Sequence, residues 1–461
     1  MPTRFDKDPK IDRSLRHSVR DGMAYSVSTG GGETYFSAFA LFLQATTSQV
    51  ALLSTLPPLL GSFGQIVSAW AGQKLGRKPL IVAGAGLQAL TWLAILAVPL
   101  LFPAYAIVSL LLLLVLYHAA GNLSAPQWTS LMRELVPDRR RGRYFGYRTG
   151  WTTIMSFAAL LVCGAILHAF DTAGATVTGF VVVFAIAFVA RSVSVYHLTF
   201  LHETASADAT VTKSAPSVRV GEWITHLRSS GAVKFSIYFM LMNLSVAIAS
   251  PFFAVYVLRD LGFSYLEFMI YAGTSVFVQV LTLNRWGRIA DIFGNRLILV
   301  ATSISIPAVP ALWLLSNEFW YLLLAQALAG LSWGGFSLSA GNLLFELLPR
   351  TQRAAYVALH NVAAAAAVFI GAMIGAALAT WLPAGTAWLG DRAVASSLFY
   401  LFAISALARG LVTAFGVRHV PQLRQPRRKI SPTSLVLRVT GFNAFVGLWY
   451  ELIGSGDDRN K

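Results

Sequence analysis

One carboxylate stands inside an apolar stretch of the chain. Glu33, in STGGGETYFSAF, follows three consecutive glycines, Gly30 to Gly32, and precedes an aromatic run. An ionisable group within a bilayer is costly and marks a functional position by default. A carboxylate there suits two kinds of chemistry, carrying a proton or pairing with a cationic group of a solute. A hydrogen bond to a neighbouring helix is the structural alternative, and it stays open. Arg191 and Arg409 are two further buried-charge candidates. Each falls within about two helical turns of the end of an apolar run, where a long side chain can snorkel. Snorkelling or pairing therefore competes with contact to an anionic solute. Tyr117, His118, Asn122, Gln127 and Trp128 share one apolar run, and Gln326, Trp333, Asn342 and Glu346 share its counterpart. His118 is a candidate for proton exchange, against the commoner role of a satisfied structural histidine. Gln44, Gln65, Gln88, Asn243, Gln279, His360 and Asn361 are also polar in apolar surroundings, and each is explicable as hydrogen bonding between helices.

The elements that must position these groups are membrane spans. The 461 residues have a mean hydropathy of +0.62, with 56% hydrophobic and 12% charged residues. That charged share is about half of what soluble proteins carry. A bilayer core needs roughly 20 apolar residues per helix, and twelve runs qualify. They cover 23–45, 48–72, 79–101, 104–132, 144–168 and 176–200, then 231–258, 263–286, 296–316, 319–347, 353–382 and 394–417. The runs are apolar on nearly every face, unlike amphipathic soluble helices. The fold class expected is all-α and polytopic.

Charge and motif content exclude other classes. The formal charge of +16 lies in the gaps and at both ends, where it sets topology, so nucleic acid is not expected as a partner. The single cysteine, Cys163, lies in an apolar run and reads as a small core residue. The first twenty-odd residues are too long, polar and acidic for a signal peptide. No phosphate-binding glycine loop, metal-ligand spacing or nucleophile elbow is present, so neither an enzyme nor a cofactor is expected.

The gaps alternate in charge. Basic residues follow spans two, four, eight and ten: Lys74, Arg77 and Lys78; Arg139 to Arg141 and Arg143; Arg285, Arg288 and Arg296; Arg350 and Arg353. The other gaps hold almost none, Arg259 and Arg392 excepted, each beside an aspartate. By the positive-inside rule the basic gaps and both termini are cytoplasmic. Glu134 and Glu346, at the same helix ends, are expected to pair with Arg133 and Arg353. The expected organisation is an N-terminal tail (1–22), a six-helix bundle (23–200), a linker (201–230), a second bundle (231–418) and a basic tail (419–461). Residues 218–228 suggest a surface helix with Trp223 and Leu227 facing lipid, and TSLVLRVTGFNAFVGLWYELIG an interfacial helix rather than a thirteenth span. The halves echo each other. AWAGQKLGRKPL and GRIADIFGNR each follow a second span, and ELVPDRRRGRYFGYR and ELLPRTQRAAYVAL each follow a fourth.

On these features the chain resembles the major facilitator superfamily over roughly residues 23–418. Gly287, Asp291, Gly294, Asn295 and Arg296 match the family's loop signature G-x-x-x-D-x-x-G-x-R, with Gly76, Arg77 and Lys78 as a partial copy. Gln73 replaces the copy's aspartate, which puts an ionic latch on that side in doubt. Gly287 and Gly294 would permit close backbone approach, while Asp291 would cap the next helix or pair with an arginine. In the family this cluster is thought to latch one conformation; a plain topogenic charge cluster is the alternative. The resemblance implies two pseudo-symmetric six-helix bundles and a secondary transporter that moves a small organic solute by alternating access. It further implies protons (sodium being the other option) as the coupling ion, in a bacterial inner membrane. A transporter-shaped sensor or assembly partner that moves nothing is the rival reading.

Overall fold

The computed structural model describes residues 5–6, 8–137, 140–203, 231–348, 353–386 and 395–421. The linker with its surface helix and the basic tail with its interfacial helix lie outside them. The first half comprises α1 (Pro9–Gly31), a 3₁₀ turn (Glu33–Tyr35), α2 (Phe36–Phe42), α3 (Thr47–Ser62), α4 (Gly64–Leu75), α5 (Arg77–Leu101), α6 (Ala106–Leu135), α7 (Arg141–Thr172) and α8 (Thr176–Leu198). The second comprises α9 (Ala232–Ala247), α10 (Phe252–Val255), a π turn (Tyr256–Asp260), α11 (Tyr265–Phe293), α12 (Asn295–Ser305), α13 (Ala308–Leu312), α14 (Phe319–Leu347), α15 (Arg353–Trp381) and α16 (Leu398–Gly416). Among the described residues no strand forms, only an isolated bridge between Gly385 and Ser396.

Eleven of the twelve expected spans are long and apolar enough to cross a bilayer, from Thr47–Gly72 to Leu398–His419. The first differs. Its helix starts at Pro9 rather than near residue 23, and it breaks after Gly31. Asp8 caps it by accepting from the Lys10 amide, with proline at the first position. Leu15 and Val19 are fully buried, so residues 9–22 are packed structure.

Local signals repeat between the halves at a constant sequence offset. Thr46 and Gln49 form a capping box before α3, and Ser264 and Glu267 form its counterpart before α11. Gly76 (φ 82°, ψ 163°) and Gly294 (φ 84°, ψ 155°) make the same turn between the second and third spans. That backbone region is essentially restricted to glycine. Gly287 behaves otherwise: a Cβ there would meet open space, so the close approach expected at this position is absent. Close approach occurs deeper in the bundles. A Cβ on Gly30 would lie 2.1 Å from the Ser156 carbonyl, and one on Gly371 2.2 Å from that of Leu244. Small residues let helices pack backbone to backbone where lipid supplies no hydrophobic drive.

Apolar packing distinguishes the two membrane faces. On the face carrying the weakly charged gaps, one cluster includes Tyr35, Phe39, Leu53 and Phe180 of the first half and Phe252, Phe268, Trp313 and Phe402 of the second. Arg259 adds a polar tie, donating to Asp260 (2.7 Å) and across to Thr47 (2.8 Å). On the basic-gap face the clusters separate. Leu15, Leu131, Tyr144 and Leu198 form one within the first half, and Phe235, Leu299, Leu343 and Tyr356 another within the second. Apolar packing thus joins the halves on one face and runs within each half on the other.

Gly76→Ala and Gly294→Ala should each cost about 1–3 kcal/mol, read as an earlier thermal unfolding midpoint in detergent. Gly287→Ala should leave that midpoint unchanged. Equal losses at all three positions would refute the distinction.

Candidate functional site

A cavity of about 340 Å³ lies within the first half, towards the basic-gap face. Helical periodicity explains its lining. Asp21 and Tyr25 are one turn apart on α1, and His118, Asn122, Ala125 and Trp128 follow one stripe of α6. The break after Gly31 turns Glu33 towards the same space, and α5, α7 and α8 contribute Gln88, Arg148 and Arg191. Two glycines make the assembly possible. A Cβ on Gly22 would lie 2.6 Å from the Arg148 guanidinium, and one on Gly121 2.5 Å from the Gln88 amide.

The charges are interlinked. Asp21 accepts from the Ser194 hydroxyl at 2.7 Å and pairs with Arg148 at 3.5 Å. Arg191 donates to Ser194 at 2.8 Å and to the Gln88 carbonyl at 2.6 Å, and its guanidinium lies 4.3 Å from the Tyr25 ring centre. Gln88 in turn donates to the Tyr117 carbonyl at 3.1 Å. The Tyr117 hydroxyl donates to Glu33 at 2.5 Å. Arg191 is close enough to act electrostatically on both carboxylates. Arg148 also donates to the Ser18 carbonyl and covers the Trp128 ring at 4.3 Å. Two carboxylates and two guanidiniums therefore share one polar enclosure.

Of the residues expected from sequence, Glu33, Gln88, Tyr117, His118, Asn122, Trp128 and Arg191 line this cavity; Gln127, Gln326, Trp333, Asn342 and Arg409 do not. Gln127 donates to the Ser68 carbonyl (2.7 Å) and hydroxyl (3.1 Å), joining α6 to α4. Asn342 donates to Asn295, which donates to Glu346, so both belong to the turn around Gly294. Gln326 and Trp333 are half-buried on α14, Trp333 edge-on to Phe336. Neither arginine snorkels. Arg191 is 5% exposed and Arg409 2%, because both project into their bundles rather than along them. Arg409 donates to the Ser405 hydroxyl (3.1 Å) and towards the carbonyls of Val246 and Ile306.

The loop residues also depart from expectation. Asp291 is exposed and, among the described residues, has no ion-pair partner, so it neither caps α12 nor joins a latch in this conformation. Arg296 donates to the Val420 carbonyl. Glu134 pairs with Arg77 across the turn at Gly76, where Glu203 accepts from the Arg77 amide, while Lys78 is half-exposed. Glu134 and Glu346 thus take partners other than the arginines expected. The side chains of Gln73 and Arg353 lie outside the described residues.

Asp21, Tyr25 and Arg148 were missed as site residues, and Gln88 is central where it seemed one polar group among many. The signal for Asp21 was local. An Asp-Pro helix start at Asp8 and Pro9 carries α1 through residue 21 and sets Asp21 one turn from Tyr25.

Two helical bundles that share an apolar cluster on one face, the first enclosing a polar cavity, define a polytopic membrane protein with transporter architecture. The Major Facilitator Superfamily model matches residues 22–233 and 235–455, and the chain belongs to that family. No curated protein matches it in sequence. A mutant of the nucleoside transporter NupG superposes with a TM-score of 0.67 at 12% identity, covering 89% of this chain and 100% of that one. A bacterial homologue of the iron transporter ferroportin in an inward-facing state gives 0.67 at 15%, covering 89% and 99%. A D-xylose–proton symporter gives 0.66 at 15%, covering 89% and 97%. At these identities the likeness establishes the fold.

Removing one member of a buried ion pair strands the other, typically at about 3–5 kcal/mol. Asp21→Asn and Arg148→Met should each lower the unfolding midpoint, and the double variant should lose less than the sum. Strict additivity in that cycle would show that the two do not act as a pair.

Proposed function

We propose that this protein is a proton-coupled secondary transporter of a small organic solute, with Glu33 as the proton-carrying group. The observation that supports it is the company Glu33 keeps. It stands at a helix break, bound by the neutral hydroxyl of Tyr117, within electrostatic reach of Arg191. Discontinuous helices near the midplane are where transporters of this architecture bind solute and ion.

The chemistry is as follows. With Glu33 ionised, Arg191 is shared between Glu33 and the Asp21 side of the network. A proton arriving on Glu33 removes one of its two anionic neighbours. Arg191 then turns fully to Asp21 or to an acceptor group on the solute, and Tyr117 still donates to the carboxyl oxygen. Proton binding thereby changes the charge that a solute meets, which is the requirement for coupling.

The basic-gap face is taken as cytoplasmic, with both termini on that side of a bacterial inner membrane. The parted clusters on that face then correspond to an inward-open state. Alternating access follows when they close and the shared cluster on the other face divides. The six-helix units 23–200 and 231–418 are the bodies that move, with 201–230 as their link.

In proteoliposomes, Glu33→Gln should abolish accumulation driven by a pH gradient, at least tenfold below wild type, while solute exchange without a gradient persists. A ligand is found first by thermal shifts across a metabolite panel. Undiminished gradient-driven uptake by the variant would refute the role of Glu33. Binding without any flux in wild type would favour the sensor.

A further inference from the structure

An apolar recess lies away from the polar cavity, on the outer wall of the second half. It is a groove of about 470 Å³ along the seam between α9 and α16, running to the 3₁₀ turn Val417–His419 that ends α16. Ile237 and Leu241 line it from α9, and Leu411 and Phe415 from α16. These four residues are 46–59% exposed, so the groove opens outward to the bilayer. Gly416 brings the helices together beneath it, since a Cβ there would lie 2.4 Å from the Tyr238 ring.

Charge is confined to one end. Lys234 begins the α9 stripe that continues through Ile237 and Leu241, at i, i+3 and i+7, so about 10 Å of apolar channel leads away from its ammonium. His419 closes the same end from the other helix. Its Nδ1 lies 2.9 Å from the Phe415 carbonyl, which can only accept, so Nδ1 carries a hydrogen and Nε2 faces outward. Arg418 donates to that carbonyl too, at 3.2 Å, and its guanidinium stays 5.5 Å from the Phe415 ring. Lys234, Arg418 and His419 are exposed at the basic-gap face, and among the described residues no carboxylate lines the groove.

The first half closes the equivalent seam. Between α1 and the end of α8, His17 and His197 meet at 3.0 Å, and Phe200 stacks on His17 at 4.6 Å. The open seam is therefore a property of the second half, not of the fold.

We infer that this groove is a binding site for one anionic phospholipid of the surrounding bilayer. An acyl chain lies along Ile237, Leu241, Leu411 and Phe415, and the phosphate is held by Lys234 and Arg418 with His419 beside it. A zwitterionic lipid fits the apolar channel equally well but brings its own cation to the basic end. The selectivity therefore resides in the headgroup charge.

The full-length protein is reconstituted in nanodiscs of phosphatidylcholine with stepped phosphatidylglycerol, and retained lipid is counted by native mass spectrometry. Wild type should retain one phosphatidylglycerol, preferred over phosphatidylcholine about thirtyfold, the scale set by two basic side chains at a membrane surface. Lys234→Gln combined with Arg418→Gln should reduce that preference to under about twofold at unchanged unfolding midpoint. Leu411→Trp, which fills the channel, should lose both lipids and serves if the paired variant does not fold. Arg13→Gln, on the closed seam, should change nothing. Equal retention of the two lipids, a preference surviving the paired substitution, or a dimer mass in place of a lipid adduct overturns the assignment.

Discussion

Charge buried within a bilayer has to be matched by opposite charge or by hydrogen-bond partners, and the first half of this protein is organised around that requirement. Desolvating a carboxylate or a guanidinium costs several kcal/mol even after relaxation, and a single partner rarely offsets it. Here no ion relies on one partner. Asp21 has Arg148 and Ser194; Arg191 has Ser194, Gln88 and the face of Tyr25. The glycines beside them matter for the same reason. Without the space at Gly22 the Arg148 guanidinium could not reach α1, and without that at Gly121 the Gln88 amide could not bridge α6 to Arg191. Packing, in this half, serves the electrostatics.

Around Arg409 the second half shows what the same framework does where no carboxylate is bonded to the guanidinium. Arg409 occupies the position of Arg191 but finds only a hydroxyl and backbone carbonyls. Dipoles can satisfy a guanidinium's hydrogens, yet they do not change charge, so among the described residues no hydrogen-bond partner of Arg409 switches with protonation. The first spans diverge in parallel. Glycines break the first half's span beside Glu33, while Pro251 stands at the equivalent break and offers no titratable group. The caps, turns and arginines recur in both halves, while the network of carboxylates and guanidiniums lies in the first.

The sequence disclosed what depends on local pattern. Eleven spans and both glycine turns follow from hydropathy and from backbone demands that act over a few residues. Glu33 was legible because an acid among apolar residues is conspicuous wherever it lies. Asp21 was hidden by its setting: the polar start of α1 resembles a tail, and only the Asp-Pro helix start betrays it. Arg148 was hidden by distance, since its pairing with Asp21 joins residues of different helices that no local rule connects. For the arginines of α8 and α16 snorkelling and pairing both stayed open, because proximity to a helix end does not say which face a residue occupies. Arg191 and Arg409 face inward, where Ser194 and Ser405 await them.

The loop signature shows a different limit. Gly287 has space around it and Asp291 has water, although both match a recurrent pattern. Their surroundings account for this. They lie on the face where the apolar clusters of the two halves are separate, and among the described residues nothing meets a Cβ at Gly287 and no cation pairs with Asp291. Gly294 is in use, because its turn depends on its own backbone and not on the other half. A pattern that joins two bodies can be satisfied only while those bodies meet. On the opposite face they meet now, through the shared cluster and the reach of Arg259 to Thr47. If the halves rock, closing the basic-gap face sets Gly287 and Asp291 against a neighbour at the cost of dividing that cluster. The two faces then alternate because one rigid pair of bundles cannot close both.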